Sequence, residues 1–390
     1  MRIRALLSAA ALLLSALPAL AAPPEAVQAT AATPAASAPI CDGTSALTPI
    51  GTDTESGRVL FAVPPLAGGS QGWLVELKAD GSAATAYPDA GGGRFGGSVG
   101  PGPVVAARSC GEACLQPIRF KDGAWEPLGE PLTTPAVSTA AATYDGTGTP
   151  WLVVHGKGKG EGVVQAWAYR LEERDWKSKG SLQVTAVGDL PALPAPQKKD
   201  AILSGTGLFN ASGPPEVWVQ GLPDLPPARR GAVIALAGTA AAYLSADGAV
   251  YLSDNAGKSW RRSAWNPWGT GTTGIWLQGK DYWIDLPLGD RRGPLELAWF
   301  DRRNADQESI FLTRLTPAGT WTVLTQTKSE IRTKNDERLQ VSHVLAPKAG
   351  TLLLLSGCAA TSGGSGLVVR AYEKGALSEA RFVPIMLAKP

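Results

Sequence analysis

Seven residues of this chain carry side chains suited to holding a ligand, and they come from well-separated stretches: Arg94, His155, Trp265, Trp268, Asp301, Arg302 and Arg303. An indole offers an apolar platform with a polar edge, and a neighbouring arginine or aspartate adds fixed, charge-assisted hydrogen bonds. That combination suits a sugar or an acidic ligand. Taken singly, each residue also has an ordinary use: the tryptophans as packing, the arginines as solvated charges, His155 as a polar loop residue. They make a site only if the fold gathers their loops on one face.

The other motifs argue against covalent, phosphate and metal chemistry. Gly96-Gly97-Ser98-Val99-Gly100 fits G-x-S-x-G literally, but a nucleophile elbow needs a strand before it and a helix after it. Here it is embedded in a glycine-rich loop. Gly156 to Gly162 alternates glycine with lysine and glutamate, without the G-K-[S/T] ending and helix of a phosphate loop. His155 and His343 are the only histidines, too few for a multi-histidine metal centre. No metal and no cofactor is expected.

The elements that must position these loops read as β-strands. Helical periodicity is nearly absent, and 46 glycines and 31 prolines punctuate short apolar runs, an all-β signature. Self-similarity is the informative signal. Tyr144 to Pro150 precedes the strand Trp151 to Val154, Phe209 to Pro215 precedes Glu216 to Val219, and Asp290 to Pro294 precedes Leu295 to Trp299. Asp or Asn begins each turn because its side chain closes on its own backbone. Weaker copies lie at Asp53 to Gly57, Gly100 to Pro103 and Pro347 to Gly350. A hairpin follows each marker, centred on Asp80-Gly81, Asp122-Gly123, Arg174-Asp175, Asn255 to Gly257, Pro317 to Gly319 and Lys374-Gly375.

Six markers with six hairpins predict a six-bladed β-propeller of four-stranded blades. An insertion at 221–248 stretches the fourth unit; if it is itself a blade, the count is seven. A small twisted sheet cannot bury both faces alone, so it stacks on its neighbours. Trp125, Trp176, Trp260 and Trp321 lie beside the hairpins and are expected to wedge between blades. Four cysteines favour disulfides if the chain is exported, as the form of residues 1–21 leads one to expect. Cys110 and Cys114, with three residues between them, pair locally in this reading. That leaves Cys41 and Cys358 to fasten the first segment to the last blade.

Ser253-Asp254-Asn255-Ala256-Gly257-Lys258-Ser259-Trp260 resembles an Asp box, S-x-D-x-G-x-T-W, the repeat of bacterial neuraminidases, with Asn and Ser in place of Asp and Thr. Leu297 to Asn304 followed by Ser309 to Leu312 is similar to strands of the same sialidase-like superfamily. The resemblance implies a propeller, and it implies that Ser253, Asn255, Gly257, Ser259 and Trp260 are structural, on the outer rim of a blade. It also implies what a sialidase would need: an arginine triad, a Tyr-Glu nucleophile and an Asp acid/base. The F/Y-R-I-P motif that carries the first arginine is absent. Arg58, in Gly57-Arg58-Val59-Leu60, is a poor substitute, and Tyr372-Glu373 lies at a hairpin.

The ends complete the reading. Arg2 and Arg4, the apolar run Ala5 to Leu17 and Ala19-Leu20-Ala21 have the form of a signal peptide over residues 1–21. Residues 22–40, almost all Ala, Pro, Thr and Ser, read as a flexible linker, and 41–390 as the propeller. No other stretch has the length and apolarity of a membrane helix. The formal charge of +2 rests on Arg2 and Arg4, so the remainder is neutral and suits neither nucleic acid nor an anionic membrane. The expected function is an exported, non-catalytic binding or assembly module in the periplasm or outside the cell. Its partner would be a glycan or an envelope or extracellular protein, held by loops on one face. The alternative is a sialidase-type glycoside hydrolase.

Overall fold

The computed structural model describes residues 41, 43–63, 72–89, 94–135, 137–160, 163–185, 193–195, 198–218, 232–237, 239–244, 250–263, 282–285, 288–289, 295–301, 308–316, 318, 320–329, 331–334, 336, 339–341, 343–348, 351–359 and 365–388. Every regular element among them is a β-strand. The expected signal peptide and linker lie outside the described residues. Among the described residues no helix is long and apolar enough to cross a membrane.

The strands group into seven antiparallel meanders of four, counted among the described residues. The first comprises Thr48–Asp53, Arg58–Val63, Trp73–Leu77 and Ala84–Pro88; the second Arg94–Phe95, Val105–Gly111, Cys114–Lys121 and Ala124–Pro127. The third runs from Thr139 to Thr185, the fourth from Leu193 to Val217, the fifth from Ala232 to Arg262, the sixth from Tyr282 to Ser329 and the seventh from His343 to Leu387. Second strands are buried on both faces: all of Trp151–Val154 and Leu352–Leu355 is inaccessible. This explains their unbroken apolar runs, since a strand covered on both faces does not alternate. The last strand, Arg381–Leu387, is mostly exposed, with Val383 buried.

Each meander packs on the next. Leu60 and Leu74 of the first meet Val104 and Phe120 of the second, and Val105 and Leu115 meet Leu152 and Trp176 of the third. Trp151 and Val153 meet Ile202 and Phe209 of the fourth, and Leu203 and Leu208 meet Ala241 and Tyr243 of the fifth. Trp321 of the sixth donates its indole N–H to Ser263 Oγ, just after the fifth, at 2.9 Å. Phe300 and Ile310 of the sixth meet Val344 and Leu352 of the seventh. The order then closes on itself: Leu353, Leu355 and Val369 of the seventh share a core with Val59, Phe61 and Leu77 of the first.

Short parallel pairings join the segment after one meander's first strand to the first strand of another. Val99–Gly100 pairs in parallel with Thr52–Asp53, Leu288–Gly289 with Leu345–Ala346, and Gly96 bridges Ala141. Because each meander alternates direction, its first and third turns share one end of the ring. Its middle connection and the links between meanders share the other.

Three devices close the ring. Ile385–Leu387 pairs in parallel with Ala84–Ala86, and Gly43–Thr44 pairs with Ala359–Cys358. Cys41 and Cys358, buried and 317 residues apart, are bonded, which stabilises by about 2–5 kcal/mol by restricting the open chain. The second expected disulfide, Cys110–Cys114, is also present.

The turn at 254–260 behaves as its residues require. Ser253 Oγ accepts from Gly257 N at 2.9 Å, Asn255 Oδ1 accepts from Ser259 N at 3.0 Å, and Asn255 Nδ2 donates to Ser259 Oγ at 2.7 Å. Gly257 has φ +76°, and a Cβ there would lie 2.8 Å from Trp218 O. The Trp260 ring packs edge-on to Tyr243.

The six hairpins read from the sequence are all third turns, and they belong to six of the seven meanders. The third turn of the fourth meander is the loop 211–215, between Gly207–Asn210 and Glu216–Val217. Asn210 to Pro214 matches the first-turn markers in sequence, yet it forms a third turn. The insertion at 221–248 supplies two strands, Ala232–Ala237 and Ala240–Leu244, which pair with the strand leading into the Asn255 turn. The stretched fourth unit is therefore two meanders.

Candidate functional site

Strand direction puts three of the expected site residues at one end of the ring. Arg94 begins the first strand of the second meander, opposite Arg108. Asp301 ends the second strand of the sixth, opposite Tyr282 and Ser309. His155 lies near the end of the second strand of the third. Its Nε2 is 2.9 Å from Ser204 Oγ in the fourth meander. Burial pushes its pKa down to about 4, so it is neutral at pH 7 and supplies no charge to a ligand there. Trp265, Trp268, Arg302 and Arg303 lie outside the described residues.

The opposite end contains a cleft of about 400 Å³ between the first and second meanders. Its formation is local. Asp53 ends the first strand and closes its own turn, Oδ1 accepting from Glu55 N at 3.0 Å and Ser56 N at 3.3 Å, Oδ2 from Ser56 Oγ at 2.7 Å. The same Oδ1 accepts from Gly102 N, in the first turn of the second meander, at 3.0 Å. One carboxylate thus shapes the turn and fixes the spacing between the two meanders. Gly57, at φ +68°, then releases the chain into the second strand at Arg58.

Arg58 Nη1 donates to Glu76 Oε1 at 3.0 Å, and Tyr87 OH donates to Glu76 Oε2 at 3.0 Å. These come from the second, third and fourth strands of the first meander, where neighbouring strands bring residues far apart in sequence onto one face. Hydrogen bonding to Glu76, reinforced by its charge, raises the Arg58 pKa. Burial first, then Glu76, raises that of Tyr87. Both groups are therefore protonated donors at neutral pH. The Arg58 side chain is 59% exposed and that of Glu76 18%. An ion pair so exposed contributes only about 0–1 kcal/mol to folding, so its main consequence is a fixed polar surface at the cleft.

Two aromatic rings line the cleft, Tyr87 from the first meander and Phe120 from the second. Tyr87 meets Phe120 edge-on with centroids 5.6 Å apart, and Phe120 meets Trp125 at 5.5 Å. The third turn of the second meander, Asp122-Gly123, closes the mouth, beside Lys121. Gly123 sits over the Tyr87 ring at φ +84°, and a Cβ there would lie 2.4 Å from Tyr87 Cδ1. Only glycine lets this turn approach the ring so closely.

Sequence reasoning weighed Arg58 only as a carboxylate-binding arginine and passed over Glu76 and Tyr87. A usable signal was present: a first-turn marker at Asp53–Gly57 followed at once by a cation, and an Asp-Gly hairpin in the next unit. Combined with ring order, those two turns must be neighbours at one end.

No family model matches the chain, and no curated protein matches it in sequence. Solved structures with a similar course exist. The BP39L lectin from Burkholderia pseudomallei is 13% identical, with 87% of this chain and 99% of that one covered and a TM-score of 0.44. The β-propeller domain of the trilobed protease from Pyrococcus furiosus is 9% identical, over 87% and 98%, with a TM-score of 0.47. The six-bladed Aleuria aurantia lectin is 11% identical, over 89% and 97%, at 0.39. Likenesses this distant carry no argument about ligand or blade number, and the chemistry of the cleft must do so instead.

Proposed function

We propose that the chain is an exported, non-catalytic binding module, a seven-bladed β-propeller that holds a carbohydrate in the cleft between its first two blades. The observation that carries this is the Arg58–Glu76–Tyr87 cluster beside the Phe120 ring in a concave, half-polar space. Sugars present hydroxyl edges and apolar C–H faces together, and a charged hydrogen-bonding pair beside aromatic rings complements both. The ring reading rests on seven meanders packed in cyclic order, and export on the form of residues 1–21.

A non-catalytic role fits the state of the carboxylates. Asp53 is occupied by two local amides, the Ser56 hydroxyl and Gly102 N. Each oxygen of Glu76 already accepts a hydrogen bond. The hydrolase alternative needs an arginine triad, and Arg58 is the one arginine among the described residues that line the cleft. The opposite end, where Arg94, His155 and Asp301 lie, is proposed as a second contact surface for an envelope protein.

A glycan microarray probed with wild type, Arg58→Ala and His155→Gln tests the cleft. Wild type and His155→Gln should share a profile, and Arg58→Ala should lose at least tenfold in signal, because a charged hydrogen bond contributes about 1.5–3 kcal/mol. A wild-type array with no glycan bound would sink the reading.

A further inference from the structure

The cleft's donors and acceptors identify the kind of sugar it takes; the inference rests on the carbohydrate reading above. Its described lining residues include two cations, Arg58 and Lys121, against three carboxylates, Asp53, Glu76 and Asp122. One negative charge is therefore in excess. The Arg58 guanidinium already shares its charge with Glu76 through Nη1. A sugar acid entering here would face an arginine whose charge is shared and a surplus of like charge, both unfavourable to an anion.

The bonding capacity left over points the same way. Arginine has five N–H donors, and one is used on Glu76; each carboxylate oxygen has two lone pairs, and each Glu76 oxygen has accepted one bond. What faces a ligand is thus a donor and an acceptor side by side. A hydroxyl both donates and accepts, so two adjacent hydroxyls can meet Arg58 and Glu76 together. A carboxylate only accepts and leaves Glu76 unmatched. An ammonium only donates and leaves Arg58 unmatched.

We propose that the cleft between the first two meanders selects uncharged sugars with adjacent free hydroxyls and rejects acidic sugars, with Arg58 and Glu76 as the specificity pair. This is the reverse of what an arginine-rich, sialic-acid-binding site would do.

The test is calorimetric titration of the folded, disulfide-intact protein at physiological salt. The probes are the methyl glycosides of glucose, galactose and mannose, the matching uronic acids, N-acetylneuraminic acid and glucosamine. At least one neutral glycoside should bind, its uronic acid at least tenfold more weakly. Glu76→Gln, which removes the charge and keeps an oxygen acceptor, should narrow that gap about tenfold. Arg58→Ala should abolish binding of the neutral sugar, with its melting curve showing that the ring remains folded.

An acidic sugar binding as tightly as its neutral counterpart would overturn the selectivity and leave the carbohydrate reading standing. Preference for glucosamine would do the same by favouring a cation. Neutral-sugar binding unaltered in Arg58→Ala would remove it from the cleft. Failure of every probe to bind would overturn both the selectivity and the carbohydrate reading.

Discussion

The first turns of the first and third meanders begin from the same arrangement and end as different devices. Each places an aspartate after the first strand, Asp53 in one and Asp145 in the other, and each side chain closes on the amides that follow. Six residues further on, the first has Val59 and the third has Trp151. The indole fills the space above its turn, donates Nε1 to Asp145 Oδ2 at 2.9 Å and lies under the Arg170 guanidinium at 5.9 Å. Arg170 Nε then reaches the same carboxylate at 3.1 Å, and the Asp145 side chain is fully covered. In the first meander the smaller Val59 stands at that place and lines the cleft. Arg58 turns to Glu76, stays largely exposed, and a cleft remains. One large side chain thus separates a structural lock from an open cleft.

The largest expected effect comes from breaking the lock. Asp145→Ala should destabilise folding by about 3–5 kcal/mol, because it removes the covered carboxylate that Trp151 and Arg170 both bond to and leaves Arg170, with a side chain only 17% exposed, the longer ion pair to Glu172 at 3.7 Å. Burial alone would raise the Asp145 pKa, but hydrogen bonds from Thr147, Trp151 and the Thr149 amide outweigh it and hold the value below the usual carboxylate range. With the folded pKa depressed, this stabilisation is present above the unfolded value near 4 and is lost as pH falls below it. Urea titrations of wild type and variant should converge in acid. Equal stability of the two at pH 7 would show that Asp145 is no lock.

His155 extends the comparison to the other end of the ring. Its imidazole is held neutral by burial between the third and fourth meanders, so the unfolded chain takes up a proton before the folded one does. Stability is therefore complete above about pH 6.5 and declines towards pH 4 by about 2–3 kcal/mol, at 1.36 kcal/mol per unit of pKa difference. His155→Gln should flatten this part of the pH–stability curve. An unchanged slope would mean that the ring opens to water at Ser204.

The two aspartates also show how far sequence alone can be read. Turn chemistry is local, so Asp145 to Thr149, Asp122-Gly123 and the Asn255 turn were legible from neighbouring residues. Tryptophan wedges were legible too: Trp176 packs between the second and third meanders and donates to Leu128 O. The run Ala232 to Leu244 was not: Ala240 to Tyr243 are all buried, and a strand covered on both faces loses the alternation that marks a strand. The cleft was hidden for another reason. Arg58 and Glu76 are 18 residues apart, and the opposing wall at Phe120 and Gly123 belongs to the next meander. Their meeting depends on strand register and ring packing, which no short window of sequence contains.

Asp53 tests whether the cleft needs a fixed width. Asp53→Ala should cost about 1–2 kcal/mol, as for loss of a capping side chain, since its turn is exposed and water can replace most of the bonds. The bond to Gly102 N is the exception, because it joins two meanders. Sugar binding should therefore weaken by more than the stability loss implies. Binding intact in a destabilised variant would mean that the cleft is held open by the aromatic rings alone.

The smallest stability effect belongs to Arg58, and set beside Arg170 it gives the clearest separation. Arg170→Ala should destabilise by about 3 kcal/mol or more, since it strips a covered carboxylate of its cation and a buried indole of its cover. Arg58→Ala should cost less than about 1 kcal/mol, because its ion pair is largely in solvent and its loss leaves Glu76 still bonded to Tyr87. The binding outcomes should run the other way. Arg58→Ala removes the donor that faces the ligand, whereas Arg170 faces a filled space and contributes nothing to the cleft. Thermal melts and calorimetric titrations on the same two preparations measure both quantities. If Arg58→Ala were the less stable of the two, the exposed pair would be part of the ring's framework. The contrast between lock and cleft would then fail at its simplest point.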